Sequence, residues 1–471
     1  MYVTTTPSNF LDFDMKIHLI AIGGSAMHNL AIALKEKGYE VSGSDDEIFE
    51  PARSRLAAHG LLPASEGWHP ERIRSGLDAV ILGMHARADN PELAEARRLG
   101  LNIFSYPEYL YEQCRNKRRV VIGGSHGKTT ITAMILHVLQ KCGMDFDFMV
   151  GAQLAGFDTM VHLSEKAPIA VFEGDEYLSS PLDLRPKFHL YHPHIALISG
   201  IAWDHINVFP TFENYTEQFS RFIDLIEPDG TLIYCETDPV LKNLVNEKNL
   251  SDRLHAIPYS AHPAVTRNGE SYLTHDNQQT PLRIFGEHNL QNISGAWQVC
   301  CSLGVSDALF YRHISTFEGA AKRLQTLAKN EHTHVFLDFA HSPSKLKATV
   351  NAVKQQYPDR KLTACMELHT FSSLNENFLG EYRQSMAEAD EAWVYFNPET
   401  MKHKRLPLFA PTAVAGAFGT PNVTVFTDSS LLINQLTDKH WDDRNLLIMT
   451  SGNFNGVDFS KLRLSGSIIT F

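Results

Sequence analysis

Residues 120–136 read VVIGGSHGKTTITAMIL. The apolar run VVI predicts a strand, GGSHGKTT a glycine loop, and ITAMILHVLQKCG a helix. A strand running through a glycine loop into a helix makes an anion cradle. Backbone N–H groups converge at the helix N-terminus, where the helix dipole favours negative charge. Lys128 adds a point charge for outer phosphates, and Thr129 offers a hydroxyl to magnesium. The spacing is irregular. The usual P-loop keeps four residues between its first glycine and its Gly-Lys pair. Here Gly123 and Gly127 have three between them, and Ile122 stands where the first glycine belongs. A connecting glycine turn is the competing reading, and Gly-Lys-Thr in register favours nucleotide binding over it.

Outward from this loop, the chain alternates strands and helices. KIHLIAI (16–22) is an apolar strand, Ala26–Lys37 carries apolar residues at helical spacing, and Gly38 stops it. EVSGSD (40–45) and DAVILGM (78–84) are further strands, and PELAEARRLG is a helix. This succession argues for a parallel, doubly wound sheet. Beyond the loop, APIAVFEGDE and HIALISGIAWDH read as strands, NYTEQFSRFIDLI as a helix, and about 245–280 as polar and turn-rich. GEHNLQNISGAWQVCCSLG suits a helix. From 332 the pattern restarts: strand THVFLDFAHSP, helix PSKLKATVNAVKQQ, then strands KLTACMEL, EAWVYF and NLLIMTSG. A chain of 471 residues exceeds one domain. Boundaries near 118 and 327 give three α/β units, 15–118, 119–327 and 328–471, with RNKRR (115–119) as a linker.

Composition narrows the function. Hydrophobic content of 43% and charged content of 20% describe a globular protein. A net charge of −12 argues against nucleic acid as a partner, since that grip needs clustered Lys and Arg. None of the six cysteines forms a C-x-x-C pair, so reduced thiols in the cytoplasm are expected. No stretch reaches the ~18 apolar residues of a membrane span, and the N-terminus lacks a secretory pattern. The residues before Met15 read as a short extension.

Five further stretches carry chemistry. EGDE (173–176) ends a strand, and Glu173 and Asp175 are hard oxygen donors suited to magnesium. A solvated acidic turn is the bland alternative, which the upstream loop outweighs. In WDHINVF (203–209), His205 reads as a metal ligand, a base or a surface histidine. In GEHNLQN (286–292), Asn289 and Asn292 lie on one helix face, where their amides suit an adenine edge or an N-cap. Arg323 suits a transferring phosphoryl group. Asp338 and His341 sit at a strand end, with surface and capping roles as alternatives. The first turn has Ala21, Gly23 and Ala26 where a dinucleotide fingerprint needs three glycines. Asp45 stands where a ribose ligand belongs, but the degraded glycines make a nicotinamide oxidoreductase the weaker reading.

IGGSAM, SGSD, GGSHGKTT, EGDE, DH, GEHNLQN, KRL and DFAHSP occur in one order along nearly the whole chain. In this the chain resembles the Mur ligases, ATP-dependent amide-bond formers of bacterial peptidoglycan synthesis, whose loop has the short form seen here. The resemblance implies an N-terminal Rossmann-like UDP-sugar domain, a central P-loop ATPase and a C-terminal Rossmann-like domain that brings the amino substrate. It implies that Gly124, Ser125, His126, Gly127, Lys128, Thr129 and Thr130 hold the ATP phosphates. His288, Asn289 and Asn292 would meet adenine, Asp338 the ribose and Arg323 the γ-phosphate. Thr129, Glu173 and His205 would hold magnesium, with Lys128, Glu173, His205 and Arg323 as the catalytic set. Gly23, Gly24, Ser25, Met27, Ser44 and Asp45 would line the UDP-sugar site.

Residues 206–221 contain no lysine to carbamylate, which points to the branch whose acceptor is UDP-N-acetylmuramate itself. Its amine is L-alanine in one group of members and the tripeptide L-alanyl-γ-D-glutamyl-meso-diaminopimelate in another. Tyr177 after EGDE resembles the tripeptide group. ELHTFSS (367–373) departs from the alanine group, with Thr370 and Ser373 in place of two of its arginines, and from the tripeptide group in carrying His369 where that group has an arginine. His341, His369, Ser372 and Ser373 are the amino-substrate candidates, and His205, His341 and His369 the candidate bases. A monomer or weak homodimer, with no membrane partner, is expected. A nucleotide switch without ligase activity is the reading from another class.

Overall fold

The computed structural model describes residues 15–203, 208–267, 269–457 and 459, with the backbone of 463–464 and 467–468. The chain folds as two compact units. One runs to Val121 and resumes over Asp145–Pro193; the other takes Ile122–Met144 and the chain from His194 onward.

The first unit opens with β1 (Lys16–Ile20), a helix (Ser25–Glu36) and β2 (Glu40–Ser44), followed by β3 (Ala79–Leu82) and β4 (Ile103–Ser105). All pair in parallel in the order β2-β1-β3-β4. Such a sheet is covered on both faces, which is why β3 reads AVIL and is buried throughout. The chain continues into β5 (Arg118–Gly123), whose last two residues belong to the second unit, and the first unit resumes with β6 (Phe146–Met149), β7 (Val161–His162) and β8 (Ile169–Glu173). β6 pairs with β8 in parallel and with β7 antiparallel.

RNKRR, expected as a linker, is not a solvated one. Lys117 and Arg119 are buried. Lys117 Nζ bonds the Asp147 carboxylate and the Ser164 carbonyl, and Arg119 Nε donates to the carbonyls of Tyr191 and His192, both at 2.9 Å. Asp147 is sealed from water and also accepts from Ser164 N (2.9 Å) and Oγ (2.8 Å). Removing one partner of a buried ion pair leaves an uncompensated charge. Lys117→Met is therefore expected to cost about 3–5 kcal/mol in denaturant unfolding, and Lys117→Met with Asp147→Leu to recover much of it. A single variant as stable as the parent would refute this account.

In the second unit, β9 (Ile195–Ile198), β10 (Gly230–Cys235) and β11 (Leu254–Tyr259) run parallel. The stretch expected to be turn-rich instead holds β12 (Ala264–Arg267), β13 (Glu270–His275) and β14 (Gln278–Leu282), an antiparallel meander. Its β13–β14 turn is Asp276-Asn277, with φ of 45° and 61°. That is the primed-turn geometry usually signalled by a glycine, and none is present here to mark it.

The C-terminal sheet has the order β15-β16-β20-β17-β18-β19, from β15 (Gln325–Lys329), β16 (His334–Asp338), β17 (Lys361–Leu368), β18 (Glu391–Phe396), β19 (Val423–Phe426) and β20 (Arg444–Met449). Only β15 is antiparallel to its neighbour. It straddles the boundary expected at 327. Successive residues of β17 enter opposite cores: Ala364 and Met366 pack with Phe336 and Val350, Cys365 with Val335 and Trp393. This two-sided burial leaves the sheet's C-terminal edge as the place where loops converge.

Candidate functional site

The glycine loop forms within the second unit. Gly124 has φ 121° and Gly127 φ 75°, the latter left-handed and capping the helix Lys128–Lys141. Both conformations suit glycine alone. Space requires it as well: a Cβ on Gly124 would strike Ser199, and one on Gly127 the amide of Asn292. The loop is pinned by Ser199 N to Gly123 O (3.1 Å), Ser125 N to Gly200 O (3.0 Å), and the Ser199 hydroxyl to the His126 carbonyl. Ser125 Oγ accepts from Ala202 N and lies 2.8 Å from Tyr215 Oη. Thus Ser199, just past β9, pins the loop, a role with no signal in the sequence. Lys128 folds its ammonium onto Gly124 O at 2.8 Å. Thr129 and Thr130 are buried in the first helical turn, which has no acidic residue to oppose an anion.

Other candidates converge here. Asn292 lies on the helix Glu287–Ser302, against Gly127. Asn289 Nδ2 donates to Phe285 O (2.8 Å) and Asn292 Nδ2 approaches Asn289 Oδ1 (3.4 Å). Neither caps the helix, whose N-cap is Gly286. His288 is held neutral by burial, its pKa pushed down to about 4. Arg323 places its guanidinium 4.6 Å from the Phe339 ring, with Nη2 3.5 Å from Thr129 Oγ1. Asp338 spends one carboxylate oxygen on Leu324 N (2.5 Å) and the other on Ala340 N (2.7 Å). Burial raises its pKa to about 6 against the pull of Arg323. His126 Nε2 meets Ser344 Oγ at 2.8 Å, at the start of the helix Pro343–Gln356.

The remaining second-unit candidates sit at the edge of the C-terminal sheet. His341 Nδ1 donates to Phe339 O at 2.8 Å. His369 Nδ1 lies 3.7 Å from Glu367 Oε1. Burial raises the Glu367 pKa, but hydrogen bonds from His369, Thr450 and Phe454 N outweigh it and hold the group below its ordinary value. Thr370 Oγ1 donates to Ser373 Oγ at 3.0 Å, and Ser373 is fully buried. Ser373 is spent in the turn, whereas His341, His369 and Ser372 are half-buried. Sequence reading missed Lys404, which donates to His369 O at 2.8 Å and lies 4.6 Å from the Phe371 ring. It is remote in sequence and belongs to no motif. His205 lies outside the described residues.

In the first unit, Glu173 ends β8 and accepts from Gly151 N at 2.7 Å. Asp175, read as a magnesium donor, pairs with Lys187 at 2.6 Å. The first turn carries Gly23 and Gly24 into the helix from Ser25, which has neither a side-chain cap nor an acidic first turn. Asp45 Oδ2 accepts from Gly23 N (2.7 Å), and burial raises its pKa to about 6. Ser44 O accepts from Ala21 N and Ile22 N. Ser25 is exposed, whereas Met27 is buried in the core. Among the described residues no group of three or more His, Cys, Asp and Glu is arranged for a metal, and no helix is long and apolar enough to cross a membrane.

Three family descriptions match in order: Mur ligase family, catalytic domain, over residues 16–118; Mur ligase middle domain over 122–300; and Mur ligase, glutamate ligase domain, over 322–453. A UDP-N-acetylmuramate–L-alanine ligase of Arthrobacter sp. (strain FB24) is 30% identical over 390 residues, 80% of each chain. A murein peptide ligase from Psychrobacter arcticus 273-4 superposes with a TM-score of 0.64 at 22% identity, covering 97% of this chain and 100% of that one. A UDP-N-acetylmuramate-alanine ligase from Thermotoga maritima does so with a TM-score of 0.69 at 20% identity, covering 94% and 97%. These two share the three-domain α/β fold expected from the sequence. With the relative matched across most of its length and all three descriptions in order, the chain belongs to the Mur ligase family of ATP-dependent, ADP-forming ligases.

Proposed function

We propose that the chain joins the lactoyl carboxylate of UDP-N-acetylmuramate to the L-alanyl amine of L-alanyl-γ-D-glutamyl-meso-diaminopimelate, in the cytoplasm. A carboxylate resists amines because its oxygen leaves poorly. In the first step the carboxylate oxygen attacks the γ-phosphorus of ATP and ADP leaves, giving an acyl phosphate. The neutral amine then attacks the acyl carbon, phosphate departs, and the amine's proton passes to a base. Positioning and charge neutralisation dominate such chemistry. Lys128 and the helix N-terminus behind Gly127 are assigned to the phosphates, and Arg323 to the transferring group. Thr129 presents a hard oxygen that suits magnesium, which would neutralise phosphate charge, and the resemblance gives Glu173 the role of a magnesium ligand. The turn at Gly23 and Gly24 is assigned to the UDP-sugar.

The tripeptide reading rests on ELHTFSS. Thr370 and Ser373 bond one another where the alanine-adding branch has two arginines, and a bare amino acid needs a cation at its carboxylate. L-Alanine is the second reading, favoured by the name of the Arthrobacter relative. A competition assay decides: both amines at equal concentration, with UDP-N-acetylmuramate and ATP. We expect the tripeptide to be consumed first. Consumption of L-alanine alone would sink the tripeptide assignment, and ADP release needing neither amine would sink the ligase mechanism.

A further inference from the structure

We infer that Lys404 binds a carboxylate of the incoming amino substrate, with the exposed Phe371 ring as the apolar floor beside it. This rests on the ligase reading above and names the group that recognises its second substrate. Lys404 follows the helix Pro398–His403 and is half-buried. Its ammonium has three donors. One bonds His369 O at 2.8 Å, which ties it to the loop carrying Thr370 and Ser373. The ammonium also stands 4.6 Å from the centre of the Phe371 ring. It pairs with no carboxylate among the described residues. Nearby Glu367 attracts it, but that carboxylate is itself bonded to Thr450 Oγ1 and Phe454 N and paired with His369.

A half-buried cation without an ion-pair partner suits an anionic ligand. Phe371 is 51% exposed, so its ring offers an apolar surface beside the ammonium that an aliphatic chain would cover. Together they fit a carboxylate on an aliphatic stem.

The test uses the full-length enzyme and whichever amine the wild type consumes. Lys404→Met should raise KM for that amine roughly ten- to hundredfold. KM for ATP and for UDP-N-acetylmuramate should not change. Lys404→Arg should restore most of the loss. The decisive arm replaces the substrate's carboxylates by carboxamides. Wild type should then show the raised KM, and Lys404→Met should add nothing to it. An unchanged amine KM in Lys404→Met overturns the inference, and so does an equal further loss on the amidated substrate. If the wild-type chain releases no ADP dependent on UDP-N-acetylmuramate, the ligase reading falls with it.

Discussion

Lys128→Ala is expected to abolish ADP release that depends on UDP-N-acetylmuramate, lowering kcat about 1,000-fold or more. Lys128 is the first residue of its helix, one position past the left-handed Gly127. That places its ammonium beside the N–H groups that the helix leaves without intrahelical partners. The Nζ to Gly124 O bond of 2.8 Å folds the side chain across the loop it serves. Arginine should not substitute, because its planar fork does not fit where a compact point charge does. The fold should survive, since the loop is pinned by Ser199, Ser125 and Tyr215 rather than by this side chain. A melting temperature within about 2 °C of the parent is expected. Substrate-dependent turnover in the variant would remove Lys128 from the mechanism.

Local patterns reveal some of this architecture and hide the rest. The glycine loop is legible because strand, Gly-Lys-Thr and helix are contiguous. The first βαβ unit is legible for the same reason. The meander of β12–β14 is hidden because its strands are polar on one side and its Asp276-Asn277 turn lacks a glycine. RNKRR looks like surface because charge usually is; its burial depends on Asp147 and on carbonyls some 70 residues away. Lys404 is invisible for a related reason. Its meaning comes from β17 and β18 lying side by side, which brings the loops after them together. Ser199 likewise acts through the close approach of β9 to a glycine.

Arg323→Ala is expected to lower kcat roughly 100- to 1,000-fold with a much smaller change in KM for ATP. The residue sits between two strained neighbours, Lys322 at φ 54° and Leu324 at φ 48°. Left-handed non-glycine residues cost of order 1 kcal/mol each and persist only where surroundings enforce them. Here the enforcing group is Asp338, whose carboxylate holds Leu324 N and Ala340 N, aided by Phe339 N to Lys322 O at 2.8 Å. The resemblance to the Mur ligases assigns Asp338 to a ribose. The hydrogen bonds give it a second role, as the staple that aims Arg323 at the loop. The two roles separate in a double-mutant cycle. Asp338→Asn keeps the shape but loses one acceptor oxygen, so it should lower kcat. If it acts through Arg323, Asp338→Asn combined with Arg323→Ala should be no worse than Arg323→Ala alone. Multiplicative losses, with KM for ATP rising in Asp338→Asn, would show instead that Asp338 meets the nucleotide on its own account.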